Sequence, residues 1–297
     1  MKKRILGIAL VAISLVFTSC LNDDDGPTTA ILTLDINGLE DLGADFVYEG
    51  WIIVNGAPVS TGTFTSTATG QTYAIDKIML DAATKFVLSI EPVGETGTAA
   101  ASPSDTKLVA GDFAGNSASI SIGTVGDFSS TTPSGVFFLR SPTDEAGGNN
   151  GNDENGIWFG TPGAPPSPAF TLPTLEAGWK YEGWVVVDGV GPLTTGTFTS
   201  FDTLDDNAGA VTSFGGTENV GPPIPGEDFF NNVPVGFTFP LDLRGRTVVI
   251  SVEPSPDNSP NPFLLKPLVG TAGNDTAPTT YDLGFSNSSF PTGSVSR

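Results

Sequence analysis

The stretch that decides the fold is Tyr48-Glu49-Gly50-Trp51-Ile52-Ile53-Val54-Asn55-Gly56, and it occurs twice. It returns as Tyr181-Glu182-Gly183-Trp184-Val185-Val186-Val187-Asp188-Gly189, 133 residues further along the chain. The segments that follow, 61–66 and 195–200, both read Thr-Gly-Thr-Phe-Thr-Ser, at an offset of 134. A period this long indicates two tandem domains, because solenoid repeats are roughly 20 to 50 residues long.

Each copy of this stretch predicts a central β-strand followed by a hairpin. Large apolar side chains alternate on both faces, which favours a strand that is covered on both sides. Gly50 removes a side chain where a bulky group must approach. Asn55-Gly56 and Asp188-Gly189 predict type I′ turns, because these turns need positive φ at both central residues.

A second block is also shared, since Phe86–Pro92 in the first copy corresponds to Val248–Pro254 in the second. Alternating apolar residues predict a strand, which ends at the proline because proline has no N–H to donate. The 37 glycines and 24 prolines fit many short strands joined by turns. Only 73–83 resembles a helix, so we expect an all-β fold of two tandem Ig-like β-sandwich modules.

Together and in this order, the two blocks resemble the C-terminal domain of anti-sigma-K factors. In that family a Tyr-x-x-Trp strand leads into a Gly-x-x-Val-Ser-x-Gly-x-Phe hairpin, and a later strand ends in Glu-Pro. The second copy departs from the pattern at Leu193-Thr194, where Val-Ser is usual. The resemblance implies a small β-sandwich outside the cytoplasmic membrane, and it attaches no catalytic residue. The matching residues are Tyr48, Trp51, Gly56, Val59, Ser60, Gly62, Phe64, Glu91 and Pro92, then Tyr181, Trp184, Gly189, Gly196, Phe198, Glu253 and Pro254.

The beginning of the chain looks like a bacterial lipoprotein signal. Met1–Arg4 is basic, and Ile5–Phe17 is an apolar run too short to span a bilayer comfortably. Small residues then precede Cys20, the only cysteine in the sequence. The resemblance implies cleavage before Cys20 and lipidation of its thiol. The alternative is a plain secretory signal with an incidental cysteine.

The residues after Cys20 give a further expectation about location. Asp23, Asp24 and Asp25 resemble the export signal of surface lipoproteins in Bacteroidetes-type bacteria. We therefore expect a protein anchored to the membrane through the lipid on Cys20, in the outer membrane and exposed at the cell surface.

The repeats and the composition divide the chain into five parts. The Glu-Pro offset of 162 exceeds the Tyr offset of 133, so the second module carries an insertion at about 201–235. In the first module we expect Leu32, Leu34 and Ile36 to point inward and Val136–Arg140 to form the last strand. The parts are a signal peptide at 1–19, an acidic tether at 20–28, a first sandwich at 29–143, a Gly/Asn/Pro-rich linker at 144–167 and a second sandwich at 168–297.

Composition excludes several classes of function. The net charge of −21 opposes binding to nucleic acid. Without histidine, the chain cannot form a Ser-His-Asp or Cys-His catalytic centre or a histidine-ligated zinc site. One cysteine cannot form an internal disulfide. We expect no cofactor and no metal.

Three sets of side chains are candidates for chemistry. Glu49 with Glu91, and Glu182 with Glu253, could be paired carboxylates of the glycosidase type, but their presence in both copies favours a shared architectural role. Calcium could bind Asp153 and Glu154, or Asp202, Asp205 and Asp206, although neither stretch has EF-hand spacing, so solvated loops are favoured.

The four tryptophans form the third set, as a stacking platform for sugars. Trp51 and Trp184 occupy equivalent strand positions and are expected in the core. Trp158 and Trp179 are not repeated, so they are the better candidates for a surface contact, although packing in the core or at an edge is still favoured.

The sequence therefore predicts a non-catalytic envelope lipoprotein that senses, binds or has a structural role, with an unidentified extracytoplasmic protein or glycan as its partner. It predicts no sigma-binding function, because a cytoplasmic domain and a spanning helix are not evident. The alternatives are an adhesin or carbohydrate-binding accessory and, less favoured, a hydrolase.

Overall fold

A computed structural model describes residues 27–145, 147–209, 220–256 and 259–297. It is nearly all β, which confirms the predicted fold class. In the described residues, the elements up to the middle of the chain are β1 (Thr29–Asn37), β2 (Phe46–Val54), β3 (Ala57–Phe64), β4 (Gln71–Asp76), α1 (Lys77–Ala82), β5 (Ala83–Pro92), β6 (Lys107–Asp112), β7 (Ser117–Ser119) and β8 (Ser134–Leu139). The later elements are β9 (Gly156–Phe159), β10 (Phe170–Thr171), β11 (Trp179–Val187), β12 (Gly191–Phe198), β13 (Gly226–Asp228), β14 (Thr247–Pro254), β15 (Leu265–Thr271), β16 (Tyr281–Phe285) and β17 (Thr292–Ser296).

Two four-stranded sheets form the first sandwich, which we call module one. One sheet has the order β3-β2-β5-β6 and the other has the order β4-β1-β17-β7. Leu32, Leu34 and Ile36 on β1 point inward as predicted and share one core with apolar residues of β2 and β5. The last strand of the sequence, β17, therefore belongs to the sandwich that the first strand begins.

The second sandwich, module two, is one continuous nine-stranded sheet that folds over itself. The order is β12-β11-β14-β15-β16-β8-β9-β13, and β10 pairs with β8. The two ends of the sheet face each other, because Phe159 of β9 and Phe170 of β10 lie against Phe198 of β12, with ring centroids 6.5 Å and 6.3 Å apart.

The repeated strands β2 and β11 are central, as the sequence predicts. Strand β2 lies between β3 and β5, and β11 lies between β12 and β14. A Cβ on Gly50 would overlap Thr61 Oγ1 and press on the Phe86 ring, which confirms that this glycine admits a bulky neighbour.

The hairpin turns of the two copies differ. Asn55 and Gly56 have φ of 52° and 78°, which confirms the type I′ prediction in module one. In module two Gly189 has φ of 75°, but Asp188 is not among the described residues with positive φ, so the same prediction is wrong there. The reason is the extra residue that shifts the offset from 133 to 134. It makes a three-residue loop between Val187 and Gly191, which pair across the hairpin.

Strands β8 and β17 are exchanged between the modules. In module one, Gly293 of β17 pairs with Ile36 and Ser294 pairs with Ser119. In module two, Gly135 of β8 pairs with Phe170, and the next residue of β8 pairs with Asp282. We call the space that β17 fills between β1 and β7 the module-one slot, and the space that β8 fills beside β10 and β16 the module-two slot.

The two slots are equivalent by register. A Cβ on Gly111 of β6 would overlap the carbonyl of Ser119, and a Cβ on Gly270 of β15 would overlap the carbonyl of Asp282 in the same way. The chain order alone would put β8 in the module-one slot. Instead, β8, which follows β7 of module one in the sequence, completes module two. Strand β17, which follows β16 of module two, completes module one.

This exchange departs from the predicted boundaries. The segment Val136–Arg140, expected as the last strand of the first sandwich at 29–143, lies largely in β8, which pairs in module two. The last strand of the expected second sandwich at 168–297 pairs in module one. The expected linker at 144–167 contains β9, whose four residues are all buried. Side-chain packing explains why β9 belongs to the sheet. In module one the space beside Gly50 is filled by Phe86 of β5, whereas in module two the space beside Gly183 is filled by Phe159 of β9.

Candidate functional site

The repeated tryptophan and glutamate form one hydrogen-bonded chain in module one. The indole N–H of Trp51 donates to Ser89 Oγ at 2.8 Å, and the Ser89 hydroxyl donates to the Glu91 carboxylate. The backbone N–H of Ser104 donates to Glu91 Oε1 at 2.9 Å. Glu91 is almost fully buried. This chain ties the loop after the Glu-Pro turn back to the central strand.

Module two repeats the chain. The Trp184 indole donates to Ser251 Oγ at 2.7 Å, and the Ser251 hydroxyl donates to Glu253. The backbone N–H of Phe263 donates to both carboxylate oxygens of Glu253, at 2.8 Å and 3.0 Å. Sequence reasoning missed the two serines, although each lies two positions before the repeated glutamate and could have been found from that spacing.

The other repeated glutamate is held by the β-bulge of the hairpin. The register between β2 and β3 shifts after Gly50, which leaves Thr61 as the extra residue. Ser60 donates to Glu49 and accepts from the backbone N–H of Gly62 at 3.1 Å. Thr194 does the same in module two, donating to Glu182 and accepting from Gly196 at 2.9 Å.

The candidate carboxylate pairs are thus bonded to hydroxyls within their own sheets. Burial raises the pKa of Glu49, and the hydrogen bond from Ser60 opposes that change. The same bonds occur in both modules, so the repeated motif residues stabilise the strand, the bulge and the turn of each sandwich.

The two Glu-Pro turns border a cleft of about 460 Å³, which we call the inter-module cleft. Module one contributes the loop before β2 and the residues around Pro92 and Thr106. Module two contributes Glu253–Pro256 and Phe263. More of the cleft surface is apolar than polar, from side chains that include Leu42, Phe46, Pro92, Pro254, Pro256 and Phe263.

Among the described residues, the charged side chains that line the inter-module cleft are all acidic. They are Glu40, Asp41, Asp45, Asp105 and Glu253. Asp41 and Asp45 are exposed, whereas Glu40 is partly buried. Burial raises the pKa of Glu40, while the charge of Lys266 and a hydrogen bond with the backbone of Leu264 oppose the rise. Glu40 therefore links module one to module two at the cleft.

Trp158 and Trp179 are buried, which confirms the favoured prediction that they pack in the core or at an edge and rules out the alternative of a surface contact. Trp179 packs on Phe263 with ring centroids 5.8 Å apart. The Trp158 indole donates to the carbonyl of Arg140 at 3.0 Å and to Asp228 Oδ1 at 3.2 Å. Neither ring is available as a platform for sugar.

The insertion at about 201–235 packs into module two where it is described. Its strand β13 pairs with β9, and Ile224 and Phe229 are buried. Asp205 accepts from the backbone N–H groups of Asn207 at 2.9 Å and Gly226 at 3.1 Å, and burial raises its pKa to about 6.

The remaining acidic candidates have protein partners. Asp206 pairs with Lys180 at 2.7 Å, and Asp202 accepts from Ser200. Asp153 accepts from Asn149 at 2.7 Å. Glu154 lies 3.8 Å from Arg244. Within the described ranges, no group of three or more His, Cys, Asp or Glu side chains is arranged to hold a metal ion.

The candidates at the beginning of the chain, Cys20 with Asp23, Asp24 and Asp25, lie outside the described residues, as does the predicted signal peptide at 1–19. In the part of the chain that the structure describes, no helix is long and apolar enough to cross a membrane.

Part of the chain matches a known family model. Residues 25–106 match the family model described as "Anti-sigma-K factor rskA, C-terminal". The matched stretch covers β1 to β5 and contains neither exchanged strand. The chain has no match among curated proteins or among solved structures.

Proposed function

We propose that this chain is a non-catalytic, lipid-anchored envelope protein that binds an extracytoplasmic ligand in the inter-module cleft and thereby senses it. The observation that carries the proposal is the cleft itself, which the Glu-Pro turns of both modules border. The Glu-Pro turns of both copies meet at this one cavity, which supports a site that needs two modules. The repeated hydrogen bonds also support module two as a diverged second domain of the anti-sigma-K C-terminal type.

The chemistry of the cleft favours a ligand with a positive charge and an apolar body. Its charged lining is acidic, which attracts cations. Most of its surface is apolar, and burial of apolar ligand surface provides binding free energy. A basic segment of an extracytoplasmic protein has both properties.

A peptide-binding assay tests this assignment with the chain from Leu21 onward, which contains every described element. A library of basic, neutral and acidic peptides is measured against the unchanged chain and against Asp41→Asn/Asp45→Asn/Asp105→Asn. We expect basic peptides to bind, and the triple variant to bind them roughly tenfold more weakly, since each exposed charge pair contributes about 0.5 kcal/mol.

The matched control changes three exposed aspartates outside the cleft lining, as Asp81→Asn/Asp112→Asn/Asp188→Asn. Its affinity should fall only slightly, because the net charge changes equally while the cleft is intact. Equal losses in both variants, or no peptide binding, would remove the cleft as the site.

The anchor is tested separately in cells. Unchanged protein should incorporate a labelled fatty acid and fractionate with membranes, whereas Cys20→Ser should do neither. Membrane retention of the Cys20→Ser protein without label would contradict a lipid anchor at this residue.

A further inference from the structure

The module-one slot binds β17 through backbone hydrogen bonds on both sides. Five residues of β17 pair with β1, and three pair with β7. The backbone N–H of Ile120 also donates to the Gly293 carbonyl at 3.2 Å. Main-chain ladders of this kind provide affinity for an extended peptide without regard to its sequence.

Three side-chain positions make the slot selective. A Cβ on Gly293 would overlap the carbonyl of Asp35. Val295 is fully buried and pairs with Leu34. These two positions require a glycine followed, two residues later, by an apolar side chain of moderate size.

The third position is Arg297, which lies in a built site for a guanidinium group. Its nitrogens donate to the carbonyls of Leu80 at 2.6 Å, Ala83 at 2.7 Å and Gly115 at 3.0 Å. The guanidinium carbon lies 4.4 Å from the centroid of the Phe113 ring. Three carbonyl acceptors beside an aromatic ring suit the planar guanidinium group of arginine and do not suit the ammonium group of lysine.

Strand β17 is the more easily released of the two exchanged strands. In module two, Phe137, Phe138 and Leu139 of β8 are all buried, so removing β8 would expose three large side chains. Removing β17 would expose only Val295 among its apolar residues, and it would break no strand pair of module two.

We propose that the module-one slot is an acceptor site for an extended peptide of the pattern Gly-x-Val-x-Arg, and that segment 292–297 of a second copy of this chain occupies it in trans. The contacts made by β17 are the same from either copy. Which copy's β17 occupies the slot therefore depends on concentration. The chain's own β17 acts at an effective concentration on the order of millimolar, and β17 of a second copy competes better as the protein concentration rises. Exchange should thus increase where copies are crowded.

Cysteine trapping tests the exchange in chains that begin at Leu21 and have no other cysteine. Thr33 and Ser296 are paired across β1 and β17, within the Cα separation that a disulfide needs. One chain carries Thr33→Cys and another carries Ser296→Cys, and the two are mixed at increasing concentration under mild oxidation. We expect a disulfide-linked heterodimer whose fraction rises with concentration.

Two controls make the result decisive. Thr72 pairs with Thr33 on the opposite side of β1 and is exposed, so Thr72→Cys mixed with Ser296→Cys should give several-fold less heterodimer. A single chain with both Thr33→Cys and Ser296→Cys should form an internal disulfide and remain monomeric. If this internal disulfide forms but the mixed single variants do not exceed the Thr72 control, trans occupancy is refuted. If it does not form, the pairing itself is refuted.

A competition measurement tests the guanidinium site. A synthetic peptide of residues 290–297 should lower the yield of heterodimer, and the same peptide with lysine in place of Arg297 should lower it less. Equal competition by both peptides would show that the carbonyls do not select arginine and would overturn that part of the proposal.

Discussion

Modules one and two solve the same packing problem with different side chains. Strand β5 of module one has Phe86 against Gly50, whereas the equivalent position on β14 is Val248. The missing volume in module two is filled by Phe159, from a segment with no counterpart in module one. A smaller side chain on the repeated strand therefore accompanies an added strand, and the difference teaches that the repeat fixes the sheet but not what covers it.

The strands that fill the two slots also differ, because the strand in module two carries the larger apolar side chains. The module-two slot holds Phe137, Phe138 and Leu139, whereas the module-one slot holds Val295, Ser296 and Arg297. We expect Phe137→Ala to lower the free energy of unfolding by about 3–5 kcal/mol, and Val295→Ala by about 2 kcal/mol, because more apolar volume is lost at Phe137. Chemical denaturation measures both, with the partly exposed Val136→Ala as control. Equal losses would show that the slots contribute equally.

The next effect is a pH dependence that arises in module two. Burial raises the pKa of Asp228 to about 7, against hydrogen bonds from Thr143 and the Trp158 indole. Because the folded-state pKa is above the unfolded one, this contribution to stability is complete below about pH 4 and is lost as the pH rises through 7.

We expect the loss from Asp228 to be on the order of 2–4 kcal/mol between pH 4 and 7, measured by denaturation at several pH values. Asp228→Asn should flatten most of this slope whatever its effect on absolute stability. Asp205 has a pKa raised to about 6 and should account for part of the remaining slope. An unchanged slope in Asp228→Asn would assign the dependence to other carboxyl groups.

The glycines of the central strands provide a closer comparison. A Cβ on Gly50 would overlap Thr61 Oγ1, whereas a Cβ on Gly183 would overlap both Thr195 Oγ1 and the Phe159 ring. We expect Gly183→Ala to destabilise by about 1–3 kcal/mol and to cost more than Gly50→Ala. Adding Phe159→Leu should recover part of the loss only with Gly183→Ala. The same recovery with Gly50→Ala would show that the ring is not the cause.

The smallest expected effect concerns the guanidinium site of module one. Arg297→Lys should lower the free energy of unfolding by about 1 kcal/mol, since an ammonium cannot reach all three carbonyls with the geometry of the fork. Hydrogen exchange of the β17 amides should accelerate more than that of β8. Arg244→Lys, at an exposed pair with Asp242, is the control and should leave both rates unchanged.

Local pattern predicted the strands better than their partners. Alternation identified β1, β2 and β11, and the repeat placed Trp51 and Trp184 in the core, because these features depend on short-range periodicity and are confirmed by burial. Exchange of β8 and β17 could not be predicted, because Pro-Ser-Gly at 133–135 and Pro-Thr-Gly at 291–293 fit either slot by backbone pattern. The choice depends on distant side chains such as Phe113 and Tyr281.

The site was predicted less well than the fold. Glutamates 91 and 253 were identified, but their serine partners and the inter-module cleft were not, since the cleft forms only when residues far apart in the sequence meet. The glycine and asparagine content of segment 144–167 predicts a linker. Its short apolar stretch at 157–159 proved to outweigh that composition, because all three side chains are buried.

The exchange of β8 and β17 also governs when each part of the chain can finish folding. A chain that emerges from its amino end presents β1 to β7 long before β17, and it presents β8 before the strands that receive it. The sandwich synthesised first must therefore wait with an open edge until the last strand arrives. Domains usually complete folding one after another as they emerge. Here the first sandwich can close only after residues 292–296 have left the ribosome or the export channel, whereas the second is complete once β16 has emerged.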